Sequence, residues 1–302
     1  MTVRQQPRVD RVPARILLTG ATGRVGARFV PLLSKLGATL RMLVWTPEPG
    51  PPPVPGGRIV MGDLGDDAVC RAAVEGMDAV VHIASAFQGV DAAGADELNE
   101  IATGKLAAAA LAAGVRRFVS MSSYLVYEPD PGRVLAEDAP VLAAPSASFP
   151  AAKLGAERAL SGYADSDLAA CVLRVAFTYG ERDPHLAEAL HWAESADPDD
   201  RLHFVHHADV RQGVLTALGA DEPVRGTFNL GDDGPTTAAE LRSVAADFDI
   251  PAGGPGSAAE GLPDLPGAVL SSCALDISKA RDVLGFRPAF RNILQARDEG
   301  AM

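Results

Sequence analysis

Lys153 follows Phe149 by four residues in the stretch Ser148-Phe149-Pro150-Ala151-Ala152-Lys153, at the opening of a helical run. Residues four apart share one face of a helix. A lysine placed so can shift the pKa of a neighbouring acid by its charge. Phenylalanine has no hydroxyl, and any proton chemistry must use another group. A second stretch points to anion binding. Thr19-Gly20-Ala21-Thr22-Gly23-Arg24-Val25-Gly26 carries three glycines at a spacing of three. Gly20 permits a tight turn, Gly23 lets the backbone approach a pyrophosphate, and Gly26 lets helix and strand touch. The helix start beyond them offers free N–H groups and the positive end of a dipole, to which Thr22 and Val25 contribute backbone. A third group, His203, His206 and His207 with Asp209 two residues beyond, has the residue types of a metal site.

The elements that must position these groups alternate. Runs 15–19, 39–45, 58–61, 79–83, 117–121 and 169–175 read as strands; runs 24–36, 66–75, 97–113 and 148–163 read as helices. Pro31 should kink or loosen the first helix, and Gly114 should end the third. Strands that are apolar almost throughout have both sheet faces covered. The expected fold is therefore α/β, a doubly wound parallel sheet (Rossmann fold), with the glycine loop at its first strand–helix junction. Beyond residue 180 the pattern weakens to strands at 201–205 and 227–230 and helices near 185–194, 209–219 and 237–247. We expect a flexible tail over 1–13 and a dinucleotide-binding domain over 14–179. Residues 180–302 form mainly a small C-terminal substrate-binding lobe, with some segments returning to the sheet. The proline-rich 46–57 and the glycine- and proline-rich 250–268 read as loops.

Composition narrows the partners. The 302 residues are 47% hydrophobic and 22% charged, with a net charge of -12. That charge disfavours nucleic acid and anionic membrane, which need a basic face. Cys70, Cys171 and Cys273 are too widely spaced for a disulfide framework or a CxxC pair and fit a reducing, cytoplasmic setting. No apolar run reaches the length of a membrane span.

Together the motifs resemble the extended short-chain dehydrogenase/reductase family, in its NAD-dependent epimerase/dehydratase branch, over about residues 15–290. TGATGRVG resembles the nucleotide loop. GDL places Asp63 and Leu64 at the adenine, and VVHIAS places Ala84 beside the nicotinamide ribose with Ser85 toward the substrate. Asn99 falls at the family's helix asparagine. FVSMSSYLVY resembles the catalytic-serine strand, and LRVAFTYGERD, FVHHADV, GTFNLGDD and LDISKARDVLGFRP resemble later motifs in order. The resemblance implies that Ser123 binds the reacting substrate oxygen and that Lys153 binds the nicotinamide ribose. It makes FVHHADV a lobe strand and turn, so no metal is expected. It also implies that Phe149 stands where the catalytic tyrosine belongs. Tyr124, next to Ser123, is the phenol expected to supply or take the displaced proton, or else to line the pocket. Tyr127, Arg174, Arg182 and His191 are the further substrate-facing candidates. Two copies would pair through the helices beginning near residues 97 and 148.

The cofactor is NAD or NADP. Leu43-Val44-Trp45 ends the second strand without the acid that would hold a ribose 2′-hydroxyl, and Arg24 can pair with a 2′-phosphate, which tilts the choice to NADP; Trp45 can instead stack near adenine. The expected activity is an NAD(P)-dependent oxidoreductase or epimerase acting on a small molecule with a non-standard proton donor. A non-redox isomerase, dehydratase or cyclase with a structural cofactor is the alternative, and a non-catalytic NAD(P) sensor is another.

Overall fold

A computed structural model of the chain describes residues 11–46, 50–130, 132–180, 183, 185–245 and 273–301. The expected tail lies almost wholly outside these residues, as does the whole of 250–268.

The chain alternates as its apolar runs imply. The first half holds β1 (Arg15–Thr19), α1 (Phe29–Lys35), β2 (Thr39–Val44), β3 (Arg58–Met61), α2 (Asp67–Val74), β4 (Ala79–His82), α3 (Ala92–Ala112) and β5 (Arg117–Ser123). There follow β6 (Val134–Leu135), α4 (Ser148–Ser161), β7 (Ala169–Val175), β8 (Phe177–Tyr179), α5 (His185–Ser195), β9 (Arg201–Leu202) and β10 (Phe204–His206). The last third holds α6 (His207–Gly219), β11 (Gly226–Leu230), β12 (Thr236–Thr237), α7 (Ala238–Val244), β13 (Ala274–Leu275), α8 (Ser278–Leu284) and α9 (Ile293–Asp298).

Seven strands form one sheet in the order β11-β7-β5-β4-β1-β2-β3. Every pair in it is parallel. Successive side chains of a strand face opposite sides, and each side has its own core. Ile16 and Leu18 pack into the larger core and Leu17 into the smaller; Val119 and Phe118 divide in the same way, as do Leu173 and Val172. The near-continuous apolar runs exist because both faces must be filled. Strand order reverses between β1 and β4, and the carboxyl ends of those two strands open the crevice where such sheets bind ligands. Outside the main sheet lie three small pairings among the described residues, β8 with β10, β9 with β12 and β6 with β13, while β11 returns to the main sheet beside β7.

Several boundaries differ from expectation, each for a local reason. The first helix begins at Phe29 rather than 24, after a 3-10 turn over Gly26–Arg28, because the glycine loop closes on itself through Gly23 N–H to Gly20 O at 3.0 Å. Pro31 then falls in the first turn of α1, where its missing N–H costs no helical hydrogen bond, and the expected kink is not needed. The long helix begins at Ala92 rather than 97, because the Asp91 carboxylate caps it by accepting from Gly94 N at 2.8 Å. The expected strand 201–205 is split at His203. That buried ring accepts from Leu275 N at 2.8 Å through Nδ1 and contacts Asp232 O at 3.0 Å through Nε2.

Candidate active site

The glycine loop sits where β1 meets β4. Gly20 has a left-handed φ of 73°, and a Cβ there would lie 2.7 Å from Ala84 N. A Cβ on Gly26 would lie 2.0 Å from Gly20 O. No side chain fits at either position, so the turn holds its backbone tight under an open face. Thr22, Gly23 and Arg24 are exposed on that face and Val25 is half-buried. The cradle fits the pyrophosphate of a dinucleotide: close-packed glycine backbone faces solvent at the switch point, with a helix start behind it.

A buried hydrogen-bond chain ties the loop to its neighbours. Thr19 Oγ1 accepts from Ile83 N and Ala84 N, both at 3.2 Å. Its own proton is left for His82 Nδ1 at 2.8 Å, which puts the ring proton on Nε2, facing Thr103 Oγ1 at 3.1 Å. Burial, with a smaller contribution from Lys153, holds His82 down to about 3, so the ring stays neutral. Asn99 fixes the segment after β4, accepting from Ala86 N at 3.0 Å and Ser85 Oγ at 3.3 Å and donating to Ala86 O at 2.6 Å. Asp63 turns the backbone after β3 by accepting from Gly65 N at 2.7 Å. Leu64 packs against the smaller core beside it.

At the next strand end, Lys153 is buried and donates from Nζ to Met121 O at 3.0 Å. Burial pushes its pKa down to about 8, against the opposing pull of Glu157. Its Nζ lies 5.6 Å from the centroid of the Phe149 ring. Phe87 meets that ring edge-on at 5.2 Å. Ser123 Oγ accepts from Leu125 N at 3.2 Å and closes a short 3-10 turn, Tyr124–Val126. The Tyr124 hydroxyl is buried and has no hydrogen-bond partner. Burial, then the neighbouring Cys273 thiol, raises its pKa well above the ordinary phenol value, so it holds its proton across the working range.

Residues 16–231 match the NAD dependent epimerase/dehydratase family. The chain belongs to that family. A (4-alkanoyl-5-oxo-2,5-dihydrofuran-3-yl)methyl phosphate reductase of Streptomyces griseus is 37% identical over 115 residues, 38% of this chain and 36% of that protein. The chain thus matches little more than a third of that relative's length. A 3-diazoavenalumate denitrifying reductase of a Streptomyces species is 30% identical over 241 residues, 75% of this chain and 78% of that protein. The solved structure of a short-chain dehydrogenase/reductase superfamily protein from Agrobacterium tumefaciens, with NAD bound, is similar at a TM-score of 0.68 and 26% identity, over 91% of this chain and 92% of that one.

Within this epimerase/dehydratase frame, three of the residues expected at the substrate do not reach an open site. Tyr127 is buried and its phenol donates to Asn229 Oδ1 at 2.7 Å. Arg174 is buried in a two-pronged pair with Glu157, at 3.1 and 2.7 Å, and lies over the Tyr127 ring at 4.6 Å. Both side chains are committed to the core, where burial makes an unpaired polar group costly and each has a partner. His191 points to solvent at 71% side-chain exposure and pairs with Glu194, one turn along α5. Arg182 lies outside the described residues. Trp45, at the end of β2, is 76% exposed.

Glu157, absent from the expected site, joins two strands: its Oε1 accepts from Ser122 Oγ at 2.5 Å and from Arg174 Nε at 3.1 Å. Its place four residues after Lys153 was the available signal. Phe87 had none, since only the fold brings it to Phe149. Among the described residues no cluster of three or more His, Cys, Asp or Glu could hold a metal, and no helix is long and apolar enough to cross a membrane.

Proposed function

We propose that the protein is an NAD(P)-dependent oxidoreductase or epimerase of a small molecule, with Tyr124 as the proton donor that position 149 lacks. The observation that carries this reading is the glycine turn at the β1–β4 switch point, where Gly20 and Gly26 admit no side chain. Gly20, Thr22, Gly23, Arg24, Val25 and Gly26 would hold the pyrophosphate, Asp63, Leu64 and Trp45 the adenosine end, and Ala84 and Lys153 the nicotinamide ribose. When bound, the cofactor supplies or accepts hydride. Ser123 positions the substrate oxygen. The Tyr124 hydroxyl, buried without a partner, would donate to that oxygen, which supplies the acceptor the free protein lacks. Phe149 and Phe87 make an apolar wall that excludes water beside Lys153.

Arg24 on the open face of the loop, and the lack of a carboxylate at the end of β2, support acceptance of a 2′-phosphate, so NADP is favoured within this NAD-dependent family. Leu98 and Ile101, exposed on α3 at 48% and 47%, support pairing of two copies through α3 and α4. Phenylalanine at 149 also favours a second reading, in which the cofactor is structural and the reaction is an isomerisation or elimination. The test is a fluorescence titration with NADH and NADPH in parallel, followed by a substrate screen that tracks cofactor turnover. Binding of either nucleotide with turnover supports the redox reading. A product with no change in oxidation state, formed without even transient reduction of the bound cofactor, selects the second, and binding of neither nucleotide overturns both.

A further inference from the structure

At the opposite edge of the sheet lies a cavity of about 520 Å³ that the cofactor crevice does not use. It is walled by the amino ends of β1 and β5, the turn before β4 and the carboxyl ends of α3 and α6. The five residues of β1 put about 16 Å of strand between it and the glycine loop.

Its charge runs against that of the molecule. The protein carries a net charge of -12, yet the cavity is lined by Arg11, Arg15, Arg116 and Arg117 and by one carboxylate, Asp78. Arg15 is paired with that carboxylate, donating from Nη2 to Oδ1 at 2.6 Å. Arg117 spends Nη2 on Asp221 O at 3.1 Å, while its Nη1 is buried in the wall and bonds nothing. Arg11 and Arg116 are exposed. Val12, packed against the core, anchors the segment that carries Arg11 to the rim. The two helix ends present carbonyls here, which balance part of the positive charge, but Arg11, Arg116 and Arg117 line the cavity with no carboxylate hydrogen-bonded to them among the described residues.

We propose that this cavity binds a small phosphate-bearing molecule at a site separate from the cofactor crevice. Guanidinium forks match phosphate oxygens in pairs, and the volume falls in the range of small-molecule sites, too large for a lone phosphate ion.

Inorganic pyrophosphate is the probe, titrated calorimetrically into the full chain with and without saturating NADPH, with citrate as a polycarboxylate comparison. The expected result is one pyrophosphate site per chain that survives NADPH, weakens with added salt, and loses at least tenfold in affinity in Arg116→Ala and in Arg11→Glu. Arg24→Ala, in the glycine loop, leaves it in place. Loss of the site in Arg24→Ala, or no change in the two rim variants, overturns the proposal; tighter binding of citrate than of pyrophosphate overturns the phosphate assignment. Both rim positions are exposed, so folding is not at stake, and the rim variants decide the outcome whether or not nicotinamide nucleotides bind.

Discussion

Tyr124 carries a buried hydroxyl with no partner, and an unmet buried polar group costs about 1–3 kcal/mol. Replacing it with phenylalanine removes that cost, so Tyr124→Phe should fold at least as stably as the parent. If the hydroxyl is the proton donor, kcat falls about 10²-fold or more while nucleotide affinity stays the same. Unchanged turnover under these conditions rejects the role. Lys153 makes a separate prediction through its titration. Its pKa is depressed by burial to about 8 in the folded chain, against an ordinary 10.5. Between those values the unfolded chain binds a proton that the folded chain does not, so stability rises with pH across that window. Denaturant titrations of Lys153→Met at pH 7, 9 and 11 should lack this rise. A parallel pH profile in variant and parent would show that the amine is not desolvated.

At the scale of elements, α4 packs directly on α3. A Cβ on Gly155 would lie 2.2 Å from Asp96 O, so α4 presses against the backbone of α3. Gly155→Ala must part the helices that carry Asn99 and Lys153. Overpacking of this kind costs about 1–3 kcal/mol, and thermal unfolding should show Tm lowered by several degrees. A Tm equal to that of the parent would mean that the two helices have slack. The same contact couples the segment after β4, held by Asn99, to the lysine one turn after Phe149, so nucleotide affinity should drop in that variant as well.

Across the whole molecule, the buried His82 and His203 and the half-buried His206 contribute to the response to acid. Burial lowers His82 to about 3 and His203 and His206 to about 4, from an ordinary 6.5. Each binds a proton more readily in the unfolded chain, so stability present above pH 6.5 is lost as pH falls toward 4. Asp232 opposes them: burial and then Asp209 raise its pKa, and its protonation favours the fold as pH drops. Of these four groups, three favour unfolding on acidification and one opposes it, which leaves a net loss among them. Urea midpoints should decline steadily from pH 7 to 4.5, and less steeply in His206→Asn. A flat midpoint over that range would contradict the burial of these rings.

The alternation of apolar runs and the glycine spacing determined the doubly wound sheet and the position of the glycine turn, because strand burial and tight turns are local demands written in residue type. Phe149 and Lys153 were likewise readable as one helical face. The partners of each polar side chain were not, since they come from segments far apart in the chain. Tyr127 and Arg174 looked like substrate residues until Asn229 and Glu157 were seen to hold them. His191 looked like a pocket residue until α5 turned it outward. The arginines at 11, 15, 116 and 117 were unremarked in sequence. Only the parallel sheet, by bringing the amino ends of β1 and β5 to one edge, gathers their charge in one cavity.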